Sequence, residues 1–97
     1  MKLLALEIDV PDVSDSAFTE DILRQEAGRV WELYQAGTVR EIYFRSDREA
    51  AILILECADI DEAQAAISSL PLVQLNLIRF EIIPLVAYPG FERLFIK

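Results

Sequence analysis

Hydrophobic residues in the 97-residue chain recur at two spacings, one typical of strands and one typical of helices. Residues 2–10 alternate and are rich in Leu, Ile and Val, which predicts a first strand. Residues 38–45 and 50–57 are β-branched and apolar and flank a short polar turn, which predicts a hairpin. Residues 75–85 predict a last strand, in which Pro84 indicates a sheet edge or a bulge.

The segment between the first two strands has the spacing of an amphipathic helix. Residues 16–36 place apolar side chains three and four positions apart, so that they share one side of a helix. The stripe consists of Phe18, Ile22, Ala27, Val30, Trp31 and Tyr34. Gly37 follows where a left-handed C-cap belongs, which ends the helix. Because their spacing matches the stripe, Trp31 and Tyr34 are predicted to be core residues.

A second helix is predicted between the hairpin and the last strand. Asp59 is followed three residues later by Glu62, the spacing of a capping box, and Pro71 ends the segment. The acidic cluster, which includes Asp61, lacks the spacing of a calcium loop, so we interpret it as capping and predict no metal. Cys57, the one cysteine, excludes an internal disulfide and is predicted to be a buried, inert thiol.

The order of these elements is that of an α+β, ferredoxin-like fold, β-α-β-β-α-β, with an antiparallel sheet and two helices on one face. No linker or repeat divides it, so residues 1–97 are predicted to form a single domain. The face away from the helices is predicted to carry Leu3, Ala5, Val39, Tyr43, Leu53 and Leu55. Such an apolar face favours burial against a second copy, as a dimeric α/β barrel. The tail, residues 86–97, is expected to contact the partner subunit.

Composition agrees with a small protein that needs a partner. Hydrophobic residues make up 54% of the chain and the mean hydropathy is +0.29, which is high for a small domain with one sheet face in water. No apolar run approaches the roughly 20 residues of a membrane span, and no signal-peptide cleavage site is recognisable. We therefore predict a cytoplasmic protein that does not bind membranes.

Charge and the missing histidine narrow the chemistry. The net charge is −8 and the seven arginines are scattered, which argues against nucleic-acid binding. No histidine occurs, which removes the usual haem ligand, the commonest zinc ligand and the side chain best suited to proton transfer near neutral pH. That absence excludes much metal and acid–base chemistry.

Three short segments match a known family pattern. They are Gly-Thr-Val-Arg at 37–40, Leu-Pro-Leu at 70–72, and Leu-Ile-Arg-Phe-Glu at 77–81 with Pro84 and Leu85 beyond it. Together they resemble the muconolactone isomerase family over roughly residues 20–85. The resemblance implies a homodimer or larger ring that moves a proton on a small lactone carboxylate, without a metal or an organic cofactor. One departure is Glu41, which stands where the family pattern has a histidine.

For a cofactor-free isomerase, the candidate groups are carboxylates, arginines and a tyrosine on the sheet. The candidate catalytic residues are Glu7, Glu56 and Tyr43, and the candidate substrate-binding residues are Arg40, Arg45 and Arg79. An arginine holds a substrate carboxylate, a desolvated glutamate with a raised pKa moves the proton, and the tyrosine stabilises an enolate-like oxygen. Strand alternation predicts Glu7 and Arg79 on the face away from the helices.

Each assignment has a simpler structural alternative that the sequence leaves open. Glu7 and Arg79 can form an ion pair trapped between two sheets, because buried charges are paired with or without a ligand. Arg40 and Arg45 can belong to a solvated hairpin edge, and Tyr43 to an interface. Three functions follow: an isomerase, a non-catalytic dimeric binding or assembly module, and a cofactor-independent oxygenase of the same architecture.

Overall fold

The computed structural model describes residues 1–96, which form one antiparallel four-stranded sheet with helices on one side. The strands are β1 (Lys2–Asp9), β2 (Val39–Phe44), β3 (Ala51–Glu56) and β4 (Ile78–Leu85), and the helices are α1 (Glu20–Gln35), α2 (Ile60–Ser68) and α3 (Pro71–Gln74). The strand order is β2-β3-β1-β4, so β4 is an edge strand, as Pro84 predicts. The predicted α+β fold and its β-α-β-β-α-β order are confirmed, with α3 as one added helical turn.

The first helix begins later than the predicted residue 16. The segment Asp15–Ala17 is a separate 3-10 turn, and α1 starts at Glu20. Thr19 caps the helix, because its hydroxyl oxygen accepts a hydrogen bond from the amide of Ile22 at 3.2 Å. The start of the helix is therefore set by the threonine.

The second helix begins at the predicted capping box. The Asp59 carboxylate accepts a hydrogen bond from the Glu62 amide at 2.8 Å. In return, the Glu62 carboxylate accepts one from the amide of Ala58. Both acidic side chains therefore satisfy backbone donors at the helix start, as a capping box does.

The helices cover the sheet face opposite to the predicted one. The prediction that Leu3, Ala5, Val39, Leu53 and Leu55 point away from the helices is wrong. Each is at most 1% exposed in the single chain and belongs to one core with side chains of both long helices. The helix residues in that core are Leu33, Ala63, Ala66 and Ile67. Since β1 and β3 are apolar at odd and even positions alike, alternation does not decide which set meets the helices.

The other sheet face is open and apolar at its centre. Cross-strand pairing places there Leu4, Leu6, Ile52, Ile54, Ile83 and Leu85, all of them half-buried. Tyr43 pairs with Ile52 and lies on this face, as predicted. Arg79 and Glu81 lie there too, opposite β1. The open apolar face is therefore confirmed, with a different set of aliphatic residues from the predicted one.

Trp31 and Tyr34 are not core residues, contrary to the prediction. Their side chains are 58% and 49% exposed, and they stack on each other with ring centroids 5.9 Å apart. Within α1, all of which the structure describes, Leu33 alone is buried. The side of the helix that faces the core contains Leu33. Trp31 and Tyr34 lie beside that buried side and border a cavity.

The tail beyond β4 is largely apolar and exposed. Its exposed large side chains are Val86, Tyr88, Phe91, Leu94, Phe95 and Ile96. Gly90–Leu94 forms a 3-10 turn, and the rings of Tyr88 and Phe91 meet edge to face at 5.1 Å. The expected contact with a partner subunit stays a prediction, and residue 97 lies outside the described residues. In residues 1–96, no helix combines the length and the apolar character needed to cross a bilayer.

Two glycines near α1 are expected to respond to alanine in opposite directions. Gly37, after the helix, has φ +83°, a left-handed conformation that costs an L-residue about 1 kcal/mol. Gly28 lies inside the helix with open space where a Cβ would be, so alanine there favours folding by about 1 kcal/mol. Urea unfolding should show Gly37→Ala destabilised and Gly28→Ala stabilised. Shifts of the same sign would contradict this assignment of the two positions.

Candidate functional site

A cavity lies between α1, α3 and the covered face of the sheet. Its volume is about 720 Å³, within the range of pockets that enclose small organic molecules. Most of its wall is apolar and includes Leu23, Val30, Leu53, Leu70, Leu72 and Phe80. Trp31 and Tyr34 border it on the helix side, and Ile42 and Phe44 on the hairpin side. A partly open apolar cavity with aromatic borders suits a ring-shaped ligand.

Among residues 1–96, three glutamates border this cavity, and two of them are half-buried, one on the sheet and one on the helix. Glu7 on β1 accepts a hydrogen bond from the amide of Ala51 through Oε1, at 2.9 Å. Glu26 on α1 accepts one from the amide of Leu72 through Oε1, also at 2.9 Å. Both side chains are half-buried. Each carboxyl is thus held in place through one oxygen, and the hydrogen bonds of the described residues do not involve its second oxygen.

Burial changes the acidity of both groups. It raises the pKa of Glu7 and the pKa of Glu26, because an ionised carboxylate is poorly solvated among apolar side chains. The backbone hydrogen bonds lower each pKa, but by less than burial raises it. The negative charge of Glu7 raises the pKa of Glu26 further. Both carboxyls therefore hold a proton more readily than a glutamate in water does.

Glu7 also lines a second space, next to the cavity. This cleft of about 880 Å³ lies where β1 ends, and its other charged lining residues are Asp9, Asp15 and Glu49. Asp9 forms a salt bridge with Arg48, in which its carboxylate lies 3.3 Å from the guanidinium. Glu7 therefore stands between an apolar cavity and an acidic cleft.

The other two predicted catalytic residues have local partners. Glu56 forms an ion pair with the amino group of Met1 at 3.0 Å, which lowers the pKa of Glu56 and keeps it ionised. The Tyr43 hydroxyl donates a hydrogen bond to Glu41 at 2.6 Å, which raises the pKa of Tyr43 and keeps it protonated. Tyr43 borders the cavity with Glu7, whereas Glu56 lies outside it.

Two of the predicted arginines lie on the hairpin. Arg40 borders the cavity and is exposed, and its Nε donates a hydrogen bond to the carbonyl of Gly37 at 2.6 Å. Arg45 lies at the exposed hairpin turn, where it donates two hydrogen bonds to the Asp47 carboxylate, at 2.7 and 2.9 Å. The guanidinium of Arg45 is therefore already engaged, and Arg40 is the hairpin arginine that lies at the cavity.

Glu7 and Arg79 lie on opposite faces of the sheet, although both were expected on the open one. Glu7 pairs across the strands with Phe80, which packs against the core, whereas Arg79 pairs with Ile8 on the open face. The alternative of an ion pair between Glu7 and Arg79 within one chain is therefore excluded. Of the six predicted site residues, Glu7, Arg40 and Tyr43 border the cavity, but Tyr43 lies on the open face of the sheet and Glu7 on the covered one.

Glu26 is a candidate site residue that the sequence prediction missed. It lies four residues after Ile22 and four before Val30, so it falls within the apolar side of α1. A carboxylate at such a position is unusual unless it has a partner or a function. The signal that identifies Glu26 is its spacing, which places a charged residue on the same side of the helix as the apolar stripe.

The two carboxyls are expected to make the protein less stable at neutral pH than at mildly acidic pH. An acid whose pKa is raised on folding stabilises the native state fully below its unfolded pKa, and this contribution is lost as pH rises through the folded pKa. We compare wild type with the double variant Glu7→Gln, Glu26→Gln. As the pH is lowered from 7 to about 5, the free energy of unfolding should rise more for the wild type than for the variant. Urea titrations measure it, and a difference independent of pH would contradict the raised pKa values.

The strand order, the helices on one sheet face and the open second face define a ferredoxin-like fold of the dimeric α/β-barrel class. The family model of muconolactone delta-isomerase matches residues 3–90, nearly the whole length of the chain. The chain therefore belongs to the muconolactone delta-isomerase family, which confirms the resemblance seen in the sequence.

Two solved structures share this fold at low sequence identity. A crystal structure of muconolactone isomerase matches with a TM-score of 0.72 at 16% identity, over 93% of each chain. The 5-chloro-2-hydroxyhydroquinone dehydrochlorinase of Burkholderia phenoliruptrix AC1100, in complex with 2,5-dihydroxybenzoquinone, matches with a TM-score of 0.71 at 14% identity, over 93% of this chain and 98% of that one. Comparison of the sequence with curated proteins gives no match. The structural likenesses establish the fold.

Proposed function

We propose that the protein is a cofactor-free enzyme that isomerises a small ring-shaped molecule, such as a lactone, by moving a proton. The observation that carries this proposal is the pair of half-buried carboxyls, Glu7 and Glu26, in one apolar cavity. A desolvated glutamate is a stronger base toward a carbon acid than one in water, and its pKa lies closer to neutral pH. Membership of the muconolactone delta-isomerase family supports the same class of reaction.

The two carboxyls divide the work. The ionised one removes a proton from a carbon next to the ligand carbonyl, and the electron pair of that C–H bond moves into an enolate. The protonated one donates its proton to the carbon at the far end of the conjugated system, which completes the isomerisation. The two groups have then exchanged protonation states, so proton exchange with water restores the starting form. In this proposal Glu7 and Glu26 are both catalytic residues, and no group outside the chain is needed.

The names of the two structural relatives support a reaction of the isomerase or lyase type. One is named as an isomerase and the other as a dehydrochlorinase. Both reaction types can begin with loss of a proton from carbon, for which a positioned base is suited. A lactone is the substrate that the family favours, and the anchoring of a substrate carboxylate by Arg40 stays a prediction.

Deuterium exchange tests the proposed function. The purified protein is mixed in heavy water with a panel of small lactones, and proton NMR follows the signal of the hydrogens next to the carbonyl. We expect catalysed loss of that signal for at least one lactone, and a new set of signals as the isomer forms. The double variant Glu7→Gln, Glu26→Gln serves as the control. Absence of exchange throughout the panel would refute the proposal.

A second candidate function, a non-catalytic assembly module, is favoured by the open apolar face and the exposed apolar tail. We propose that a second copy covers this face, because an apolar sheet face of this kind is unfavourable in water. Light scattering at micromolar concentration should then give at least twice 11.0 kDa. A monomer would refute the dimer. A dimer without any deuterium exchange would favour the assembly module over the enzyme.

A further inference from the structure

The cavity is elongated along α1 and β2. The residues of α1 that border it extend from Leu23 to Tyr34, which corresponds to about 16 Å along the helix axis. The residues of β2 that border it extend from Arg40 to Phe44, or about 13 Å along the strand. The cavity is therefore a long groove, and its two ends differ in chemistry.

Both half-buried carboxyls lie toward one end of this groove. Glu26 is in the second turn of α1. Glu7 accepts its hydrogen bond from the amide of Ala51, which pairs with Phe44 at the end of β2. Glu7 and Phe44 also border the acidic cleft, so the carboxyls and the cleft share this end. A ring that exchanges protons with both carboxyls lies here.

The opposite end of the groove is apolar and has aromatic sides. Trp31 and Tyr34 border it from α1, and they lie beyond Glu26 by about 7.5 Å and about 12 Å along the helix axis. Ile42 borders it from β2 and pairs with the buried Leu53. Trp31, Tyr34 and Ile42 are exposed, so a ligand that covers them removes apolar surface from water. A bare lactone ring at the carboxyls is too short to do so.

We propose that the substrate is a lactone with an extended apolar substituent, which lies along α1 against Trp31 and Tyr34. This substrate class rests on the proposed function, because the ring at Glu7 and Glu26 is the part that reacts. Each methylene that is buried strengthens binding, so affinity should rise with the length of the substituent. Arg40 also borders this end of the groove, so the tip of the substituent can be neutral or carry a carboxylate.

A chain-length series of lactones tests the proposal. γ-Valerolactone carries a methyl group, γ-octalactone a butyl group and γ-decalactone a hexyl group on the same ring carbon. Deuterium exchange next to the carbonyl is measured as kcat/KM, which we expect to rise at least about twofold for each added methylene. Trp31 is the one tryptophan of the chain. Its fluorescence should change with γ-decalactone and stay constant with γ-valerolactone, which does not reach it.

Two variants show whether the aromatic end causes the preference. Tyr34→Ala removes part of that end, so the ratio of kcat/KM between γ-decalactone and γ-valerolactone should fall by about tenfold. Leu75→Ala is the matched control, because Leu75 is 52% exposed, close to the 49% of Tyr34, and lies outside the cavity. It should keep the wild-type ratio. A wild-type ratio in Tyr34→Ala as well would overturn the assignment of the substituent to this end.

The same measurements separate the substrate class from the proposed function. Exchange whose kcat/KM does not rise with chain length would overturn the extended substrate and leave the enzyme standing. Saturable binding of γ-decalactone at Trp31 without exchange of any lactone would support the elongated site and refute the proton transfer. Absence of both exchange and fluorescence change would overturn both.

Discussion

Glu26→Gln is expected to lower the rate of deuterium exchange by about 10²- to 10⁴-fold, the usual contribution of a positioned acid or base. Glutamine keeps the oxygen that accepts the hydrogen bond from Leu72, so the connection between α1 and α3 remains. It removes the group that gains and loses a proton. Because the buried carboxylate is unfavourable at neutral pH, the variant should be at least as stable as wild type. NMR exchange rates and urea unfolding measure the two effects.

Glu32→Gln is the matched control, since Glu32 lies on the same helix but is exposed and outside the cavity. It is expected to leave the exchange rate unchanged. Glu7→Gln is expected to behave like Glu26→Gln, because one carboxyl removes a proton and the other donates one. An exchange rate in Glu26→Gln equal to that of wild type would show that Glu26 is not a catalytic residue.

Leu3 and Leu4 are neighbours on β1, a central strand of the sheet. Leu3→Ala and Leu4→Ala are expected to lower stability by different amounts and for different reasons. Leu3 is fully buried under the helices, so its truncation should lower the free energy of unfolding by about 2–5 kcal/mol. Leu4 is half-buried on the open face, and its truncation should cost an isolated chain about 1 kcal/mol. If a second copy covers that face, Leu4→Ala also weakens association, and its effect depends on protein concentration.

Urea unfolding at two protein concentrations, combined with light scattering, distinguishes these outcomes. The free energy of unfolding of Leu3→Ala should lie below that of wild type by the same amount at both concentrations. The loss in Leu4→Ala should change with concentration, and its dimer should dissociate more readily. A larger and concentration-independent loss in Leu4→Ala would mean that the helices cover the other face of the sheet.

The sequence was sufficient to predict the fold because its local signals agree with one another. Alternation, turn residues, a capping box and a C-cap glycine each indicate the same element order, and Gly37 does adopt the left-handed conformation. The inverted sheet faces show where this reasoning stops. On β1 the odd positions hold Leu3 and Ala5 and the even ones hold Leu4 and Leu6, so the apolar pattern is the same for both faces. Only the packing of the helices decides between them.

The candidate site was predictable in part. Glu7 was identified as a carboxylate on a central strand, and it does line the cavity, although from the helix side. Glu26 was missed because a helical stripe was traced through its apolar members, and the acidic residue in phase with them was passed over. Trp31 was assigned to the core for the same reason, since spacing alone does not separate the centre of a buried stripe from its edge. Tertiary packing supplies that distinction.

The position of Glu7 between two spaces bears on where the transferred hydrogen ends up. Its carboxyl lines both the ligand cavity and the acidic cleft. Water in the cleft can therefore exchange hydrogens with Glu7 while the ligand is still bound. Because the other carboxyl donates the proton that the product receives, product formed in heavy water is expected to carry the isotope of the solvent, and the cleft gives Glu7 a route by which the removed hydrogen returns to the bulk.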